Sequence, residues 1–210
     1  MTVFLSRLRA TLIALTAMTV STIATAQTAT PASSSSASIV LGGGCFWCLE
    51  AVYEELRGVS GAVSGYAGGH LVDPDYKQVT GGRTGHVEVV EVAYDPKVVS
   101  LDTILDVFFT IHDPTTLNRQ GNDSGPQYRS AAFYRNDAEK QAITAAIART
   151  KAGGDWRDPI VTEVTALEKF YPAENYHQQY FELNGEQPYC SMVIAPKVAK
   201  FKKRFATLLK

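Results

Sequence analysis

Cysteine is scarce in this chain: three in 210 residues, Cys45, Cys48 and Cys190. An odd count cannot close into a purely structural disulfide framework and leaves at least one thiol free for chemistry. Metal ligands are as thin. One Cys-x-x-Cys, a distant third cysteine, and His70, His86, His112 and His177 in no matching spacing do not make a tetrahedral zinc set, so neither metal nor other cofactor is expected. Excess charge of either sign is also lacking. Twenty Lys and Arg against 21 Asp and Glu leave a formal net charge of −1, without the concentrated basic face that neutralising phosphates requires, so nucleic acid is not an expected partner. The one basic cluster, Lys197, Lys200, Lys202, Lys203 and Arg204, is expected to be a solvated helix face. No internal repeat is visible, and the apolar run from Ala10 to Val20 is too short and too threonine-rich for a spanning helix.

What is present describes an ordinary folded domain, 45% apolar and 20% charged. Residues 1–26 stand apart, with Arg7 and Arg9 ahead of the apolar run and Ala24-Thr25-Ala26 after it. That is a secretory signal pattern with a small-residue cleavage site. Export to the periplasm or outside the cell is therefore expected, with no stable membrane anchor once the signal is removed. A lipid-attachment role for Cys45 is excluded, because it lies far beyond the apolar run and lacks the leucine such a site needs. Residues 27–38, rich in Thr, Ser, Ala and Pro, form an expected flexible linker, and residues 39–210 a single domain.

Within that domain the periodicity alternates. Ser38 to Leu41 reads as a strand, Cys45 to Leu56 as a helix, and Gly58 to Tyr66 as a strand broken by Gly68-Gly69. A long polar loop, His70 to Gly85, precedes the alternating strand His86 to Tyr94. Ser100 caps a helix that stops before Pro114, and a second polar loop runs from Thr115 to Gln127. Tyr128 to Tyr134 is an expected strand, Asp137 to Ala152 a helix ended by Gly153-Gly154, and Ile160 to Leu167 a strand. The order β-α-β-β-α-β predicts an α+β fold with a ferredoxin-like split βαβ core, a two-layer sandwich carrying long functional loops. A C-terminal extension follows, with a helix near Ala173 to Phe181, a Gly- and Pro-containing loop to Cys190 and a basic helix from Pro196.

The chemistry centres on Gly42-Gly43-Gly44-Cys45-Phe46-Trp47-Cys48. A cysteine opening a helix meets unpaired backbone N–H groups, which favour the thiolate and lower its pKa. The polar groups able to act beside it are Tyr76, Glu88, Asp123 and Tyr128. Glu88 stands among valines in a strand. Buried, it would keep its proton near neutral pH and could give it away; facing outward, it would be a solvated charge.

Seven segments of this sequence, taken together, resemble the peptide methionine sulfoxide reductases of the A type. They are Gly44-Cys45-Phe46-Trp47, Gly65 to Gly69, Thr84 to Glu88, His112 to Thr115, Arg119 to Asp123, Gln127 to Ser130 and Ala173 to Gln178. The resemblance runs in order from Ile39 to about Lys200. It implies that Cys45 attacks the sulfoxide sulfur, that Phe46 and Trp47 hold the substrate's S-methyl group, and that Glu88 protonates the sulfoxide oxygen with help from Tyr76 and Tyr128. Asp123 would bind the substrate's backbone. The implied substrate is methionine S-sulfoxide, free or in peptides and proteins, and the implied partner is a thioredoxin-like reductant.

Cys48 departs from the family's usual glycine, which leaves the resolving cysteine open. Cys48 lies one helical turn from Cys45, Cys190 matches the distal resolving position, and a relay through both also fits. Two other classes remain on the sequence alone: a thiol-disulfide oxidoreductase using Cys45-Phe46-Trp47-Cys48, and a non-enzymatic binding module with a structural disulfide.

Overall fold

A computed structural model describes residues 1–2 and 36–210, and the elements below belong to one compact unit, Ser34–Lys210. The expected signal segment and most of the expected linker lie outside the described residues. Strand β1 (Ala37–Gly43) starts earlier than expected, taking Ala37 and Ser38 out of the linker. Its apolar run Ile39-Val40-Leu41 is fully buried, which suits a strand covered on both faces. Helix α1 (Phe46–Tyr53) follows, shorter at both ends than the sequence suggested, with Cys45 as its N-cap residue.

Strand β2 (Val59–Ala67), the short helix α2 (Tyr76–Thr80) and strand β3 (Val87–Tyr94) come next. Helix α2 lies inside the expected polar loop. It is started by Asp75, whose carboxylate accepts from Gln78 N at 2.7 Å while Gln78 Oε1 accepts from Asp75 N at 2.9 Å, a reciprocal cap that lets five residues hold a helical turn. Helix α3 (Leu101–Ile111) is capped as expected, Ser100 Oγ accepting from Thr103 N at 3.1 Å, and buries Ile104, Leu105, Phe108 and Phe109.

The second loop holds a tight hairpin, β4 (Arg119–Gln120) with β5 (Asp123–Ser124), and then a 3₁₀ turn at Pro126–Tyr128. Tyr128 therefore ends a turn and does not open a strand; β6 spans Ser130–Tyr134. Helix α4 (Asp137–Gly153) ends on Gly154 in the left-handed region, φ 71°. Strands β7 (Glu163–Ala166) and β8 (Phe170–Pro172) complete a six-stranded mixed sheet in the order β7-β6-β1-β3-β2-β8, in which only β6 and β7 run parallel.

The expected helix from Ala173 to Phe181 is absent. A 3₁₀ turn (Asn175–His177) and a separate helix α5 (Tyr180–Leu183) replace it, divided by Gln179 at φ 53°. Gln178 makes this break useful: its amide accepts from Ser64 N and donates to Ser64 O, each at 3.0 Å, so a side chain extends the ladder past the end of β8. A wide turn at Cys190–Ile194 leads into α6 (Ala195–Arg204).

The basic cluster on α6 is only in part the solvated face expected. Lys200 Nζ donates to Thr110 O at 2.7 Å, Lys202 pairs with Glu55 at 2.9 Å and Arg204 with Asp155 at 3.3 Å. The helix is docked, with Val198 and Phe201 buried in the main core beside α1 and α3.

Candidate active site

The site forms where the end of β1 meets the start of α1. Gly44 takes φ 95°, and a Cβ there would lie 2.5 Å from Gln120 Cγ, so only glycine allows the chain to turn into α1 against the hairpin loop. That turn delivers Cys45 at the head of α1, 6% exposed, with Cys48 one turn on and 2% exposed.

Glu88 reaches the same point from the sheet. In β3 the side chains of Val87 and Val89 join the small core on one face, while Val90 and Val92 join the main core on the other. Alternation therefore places Glu88 with Val90 and Val92, on the helix side. It is 1% exposed, and one carboxyl oxygen accepts from Phe46 N at 3.2 Å. Burial raises its pKa to about 8, a rise reinforced by the nearby Asp123 and Cys48. Of the two placements the sequence allowed, the buried one holds, and the carboxyl keeps its proton at neutral pH.

The expectation for Cys45 is reversed. Burial, followed by its hydrogen bond with Cys48, pushes its thiol well above the ordinary range. The first helical N–H, which the sequence argument assigned to the thiolate, donates to Glu88 instead. Cys48 moves the other way, down to about 7, because Cys45 donates a hydrogen bond to it and the Lys197 ammonium lies beside it. The two thiols behave as one unit sharing a proton, and the charge settles toward Lys197.

Tyr76 and Tyr128 both stay phenols. Burial first, then the facing Glu88 carboxyl, raises Tyr76 to about 12 and Tyr128 above its ordinary value as well. Tyr76 is fixed at the head of α2 because its N–H donates to Glu174 Oε1 at 2.9 Å, while Tyr66 donates to the other oxygen at 2.9 Å. Asp123, on β5, accepts from the Tyr189 hydroxyl at 2.7 Å, and that hydroxyl also lies against the Cys45 sulfur.

Phe46 and Trp47 line an aromatic enclosure. Trp47 stacks on Tyr180 with centroids 3.6 Å apart, and Phe46 lies 5.0 Å from His177 and 6.4 Å from Tyr76. Cys190, expected at the end of a Gly- and Pro-containing loop, is fully buried at the start of the turn into α6. Its charged neighbour is Cys48.

The structure thus gathers Cys45, Phe46, Trp47, Cys48, Tyr76, Glu88, Asp123 and Tyr128 at one place, with Cys190 buried in the same core. Sequence reasoning missed Tyr189, Glu174, His177 and Lys197. Glu174 and His177 fall within a quoted segment but carry no local signal of their role. Tyr189 adjoins Cys190, and Lys197 was absorbed into a charge run. His177 is 2% exposed, and neither of its ring nitrogens has a hydrogen-bond partner among the described residues; the same holds for Trp47 Nε1.

A family model for peptide methionine sulfoxide reductase matches residues 37–209. The chain is 53% identical over 170 residues to the peptide methionine sulfoxide reductase MsrA of Chromobacterium violaceum, covering 81% of this chain and 97% of that one. To the MsrA of Paenarthrobacter aurescens it is 54% identical over 172 residues, covering 82% and 98%. Among solved structures it resembles reduced Mxr1 of Saccharomyces cerevisiae, with TM-score 0.67 and 36% identity over 74% of this chain and 89% of that one. It also resembles methionine sulfoxide reductase A of Corynebacterium diphtheriae, with TM-score 0.65 and 36% identity over 73% and 77%. A thiol pair at a helix head, a protonated carboxyl and two phenols facing it, and matches that span almost all of the described fold lead to one conclusion: the chain belongs to the peptide methionine sulfoxide reductase family.

Proposed function

We propose that Cys45 carries the reduction of methionine sulfoxide, with Glu88 as the acid. Cys45 attacks the sulfoxide sulfur as its proton passes to the Cys48 thiolate. Glu88 protonates the oxygen, which transfers to Cys45, and methionine leaves. Tyr76 and Tyr128 donate hydrogen bonds to the same oxygen as charge builds on it. Phe46 and Trp47 hold the S-methyl group, where sulfur and methyl contacts with aromatic faces are favourable. Asp123, through Tyr189, fixes the floor beside Cys45 and offers its remaining acceptor capacity to the substrate's amide. The observation that carries this reading is the protonated Glu88 carboxyl, bonded to Phe46 N at 3.2 Å, one residue from the nucleophile.

Cys48 is the thiol that meets the resulting sulfenic acid, because it stands one turn along α1 with its N–H donating to the Cys45 carbonyl at 3.1 Å. Cys190, buried in the same core, takes the disulfide in a second exchange, and a thioredoxin-like dithiol restores the enzyme. A direct disulfide oxidoreductase acting on protein disulfides fits less well, since Cys45 and Cys48 are 6% and 2% exposed.

The four central strands, β6-β1-β3-β2, are antiparallel neighbours crossed by α1 and α3, which supports reading the core as a split βαβ unit of ferredoxin-like type. Export to the periplasm or cell exterior rests on the basic, apolar and Ala-Thr-Ala segments of residues 1–26. The experiment for the main reading is incubation of the reduced protein with each epimer of methionine sulfoxide. Methionine from the S epimer is expected; folded, fully reduced protein that yields none would overturn the assignment of Cys45 and Glu88.

A further inference from the structure

We propose that Glu50 is a positioning residue for the substrate's methyl pocket: it fastens the backbone at the start of α5 to α1 and so keeps the Tyr180 ring against Trp47. The inference rests on the reading that Trp47 holds the S-methyl group. Glu50 stands three residues after Trp47 on α1, so the two side chains leave the same face of the helix. Glu50 is 1% exposed, and its two carboxyl oxygens accept from Gln179 N at 3.0 Å and Tyr180 N at 3.4 Å. The Tyr180 ring lies on Trp47 with centroids 3.6 Å apart and planes 6° from parallel. Tyr180 is therefore held twice by α1, its ring at Trp47 and its N–H at Glu50.

Little else fastens this segment. No residue of α5 is fully buried, and the helix has no side-chain cap. Among the described residues, the backbone of Gln179 to Leu183 makes hydrogen bonds only within the tail or to Glu50. Gln179 sits at φ 53° and ψ 31°, a left-handed conformation that a non-glycine residue keeps only when its surroundings compensate. Its N–H takes the shorter of the two Glu50 bonds. Glu50 also borders two clefts, of 520 and 390 Å³, with Phe181 and Glu182 lining the first and Gln178 and Gln179 the second, so the segment has open space beside it.

The clamp uses both oxygens as acceptors. Protonation turns one of them into a donor and leaves a single good acceptor for two N–H groups. Burial pushes the Glu50 pKa up to about 7, against the pull of the Gln179 bond and with Glu54, one turn on, adding to the rise. The other charged groups around it are Glu55 on α1, paired with Lys202 of α6 at 2.9 Å, and Glu182 on α5; no cation lines either cleft. The hold on Tyr180 is thus complete above about pH 7 and weakens below it.

The test uses the full-length protein in single turnovers on methionine sulfoxide without reductant, recording the saturating rate and the half-saturating substrate concentration from pH 6 to 8.5. At pH 8.5 Glu50→Gln is expected to need about five-fold more substrate, the effect of about one hydrogen bond, with a saturating rate within about two-fold of wild type. The ratio of its half-saturating concentration to that of wild type falls toward one at pH 6, where the wild-type carboxyl is itself protonated; other titrating groups act on both proteins and cancel. Tyr180→Leu, which leaves Glu50 and the backbone N–H untouched, gives the same curve independently, and adding Glu50→Gln to it has no further effect because the ring being held is gone. A ratio that does not change with pH, or additive effects in the double variant, overturns the proposal and leaves the methyl-pocket reading standing. A Trp47→Leu variant with the wild-type half-saturating concentration overturns that reading, and the proposal with it.

Discussion

Replacing Glu88 by glutamine separates the catalytic role of the carboxyl from its effect on the fold. Glu88 is 1% exposed, and burial lifts its pKa from 4.5 to about 8. In that interval the native protein holds a proton that the unfolded chain releases. The stability contributed is therefore fully present below about pH 4.5 and is lost as the pH rises through about 8. At about 1.4 kcal/mol per pH unit the full span corresponds to about 5 kcal/mol, and relaxation around the charged form brings the expected value nearer ~3 kcal/mol. Glutamine fills nearly the same space, keeps an oxygen for Phe46 N, and does not titrate. Urea unfolding of reduced wild-type and Glu88→Gln protein at pH 5 and pH 9 measures the difference. Glu50, raised to about 7 by burial, is present in both chains and cancels. The variant should gain about 3 kcal/mol relative to wild type between the two conditions while losing ~10²-fold or more in methionine formed per first turnover. Parallel pH dependences within ~1 kcal/mol, or an active glutamine variant, would refute the assignment of Glu88 as a buried proton donor.

The rate of the first turnover should itself have a narrow optimum. It rises as the Cys45–Cys48 pair loses its first proton near 7 and falls as Glu88 loses its own near 8. Rapid-quench measurement of methionine from pH 5 to 10 checks this, and a flat profile between pH 7 and 9 would contradict it. Tyr189→Phe removes the 2.7 Å hydrogen bond to Asp123 and the hydroxyl beside Cys45. About 1–2 kcal/mol of stability should be lost to the unpaired carboxylate, read from urea midpoints at constant m-value; an unchanged midpoint would mean that the bond does not hold the C-terminal turn against the site.

The strands and helices with strong periodicity were legible, and the irregular ones were not. Val87 to Tyr94 and the Ser100-capped helix appear almost where the alternation and the cap placed them. Strand β8 escaped notice because Phe170-Tyr171-Pro172 is too short to alternate and contains a proline that a strand tolerates only at an edge. The tail was read as a helix because its composition permits one; the break at Gln179 is imposed by the tertiary demand that Gln178 bond to Ser64. Within the site, residue types at given positions were readable and their energetics were not. A local rule gave Cys45 a lowered pKa, but burial and the diversion of the first N–H to Glu88 outweigh it. Lys197 was invisible for a related reason. It comes near the site only through the packing of α6 against α1, which no spacing within the chain announces.

Glu88, the proposed proton donor, sits at a fixed register of a central strand, opposite Tyr66, whereas Cys190, the last thiol of the proposed relay, is mounted on the C-terminal wrap. Inserting one residue into β3 would turn the carboxyl onto the opposite face of the sheet, so that half of the chemistry cannot drift by small steps. The wrap has no such lock. The route by which the proposed disulfide leaves the site is therefore not tied to the sheet register that fixes Glu88.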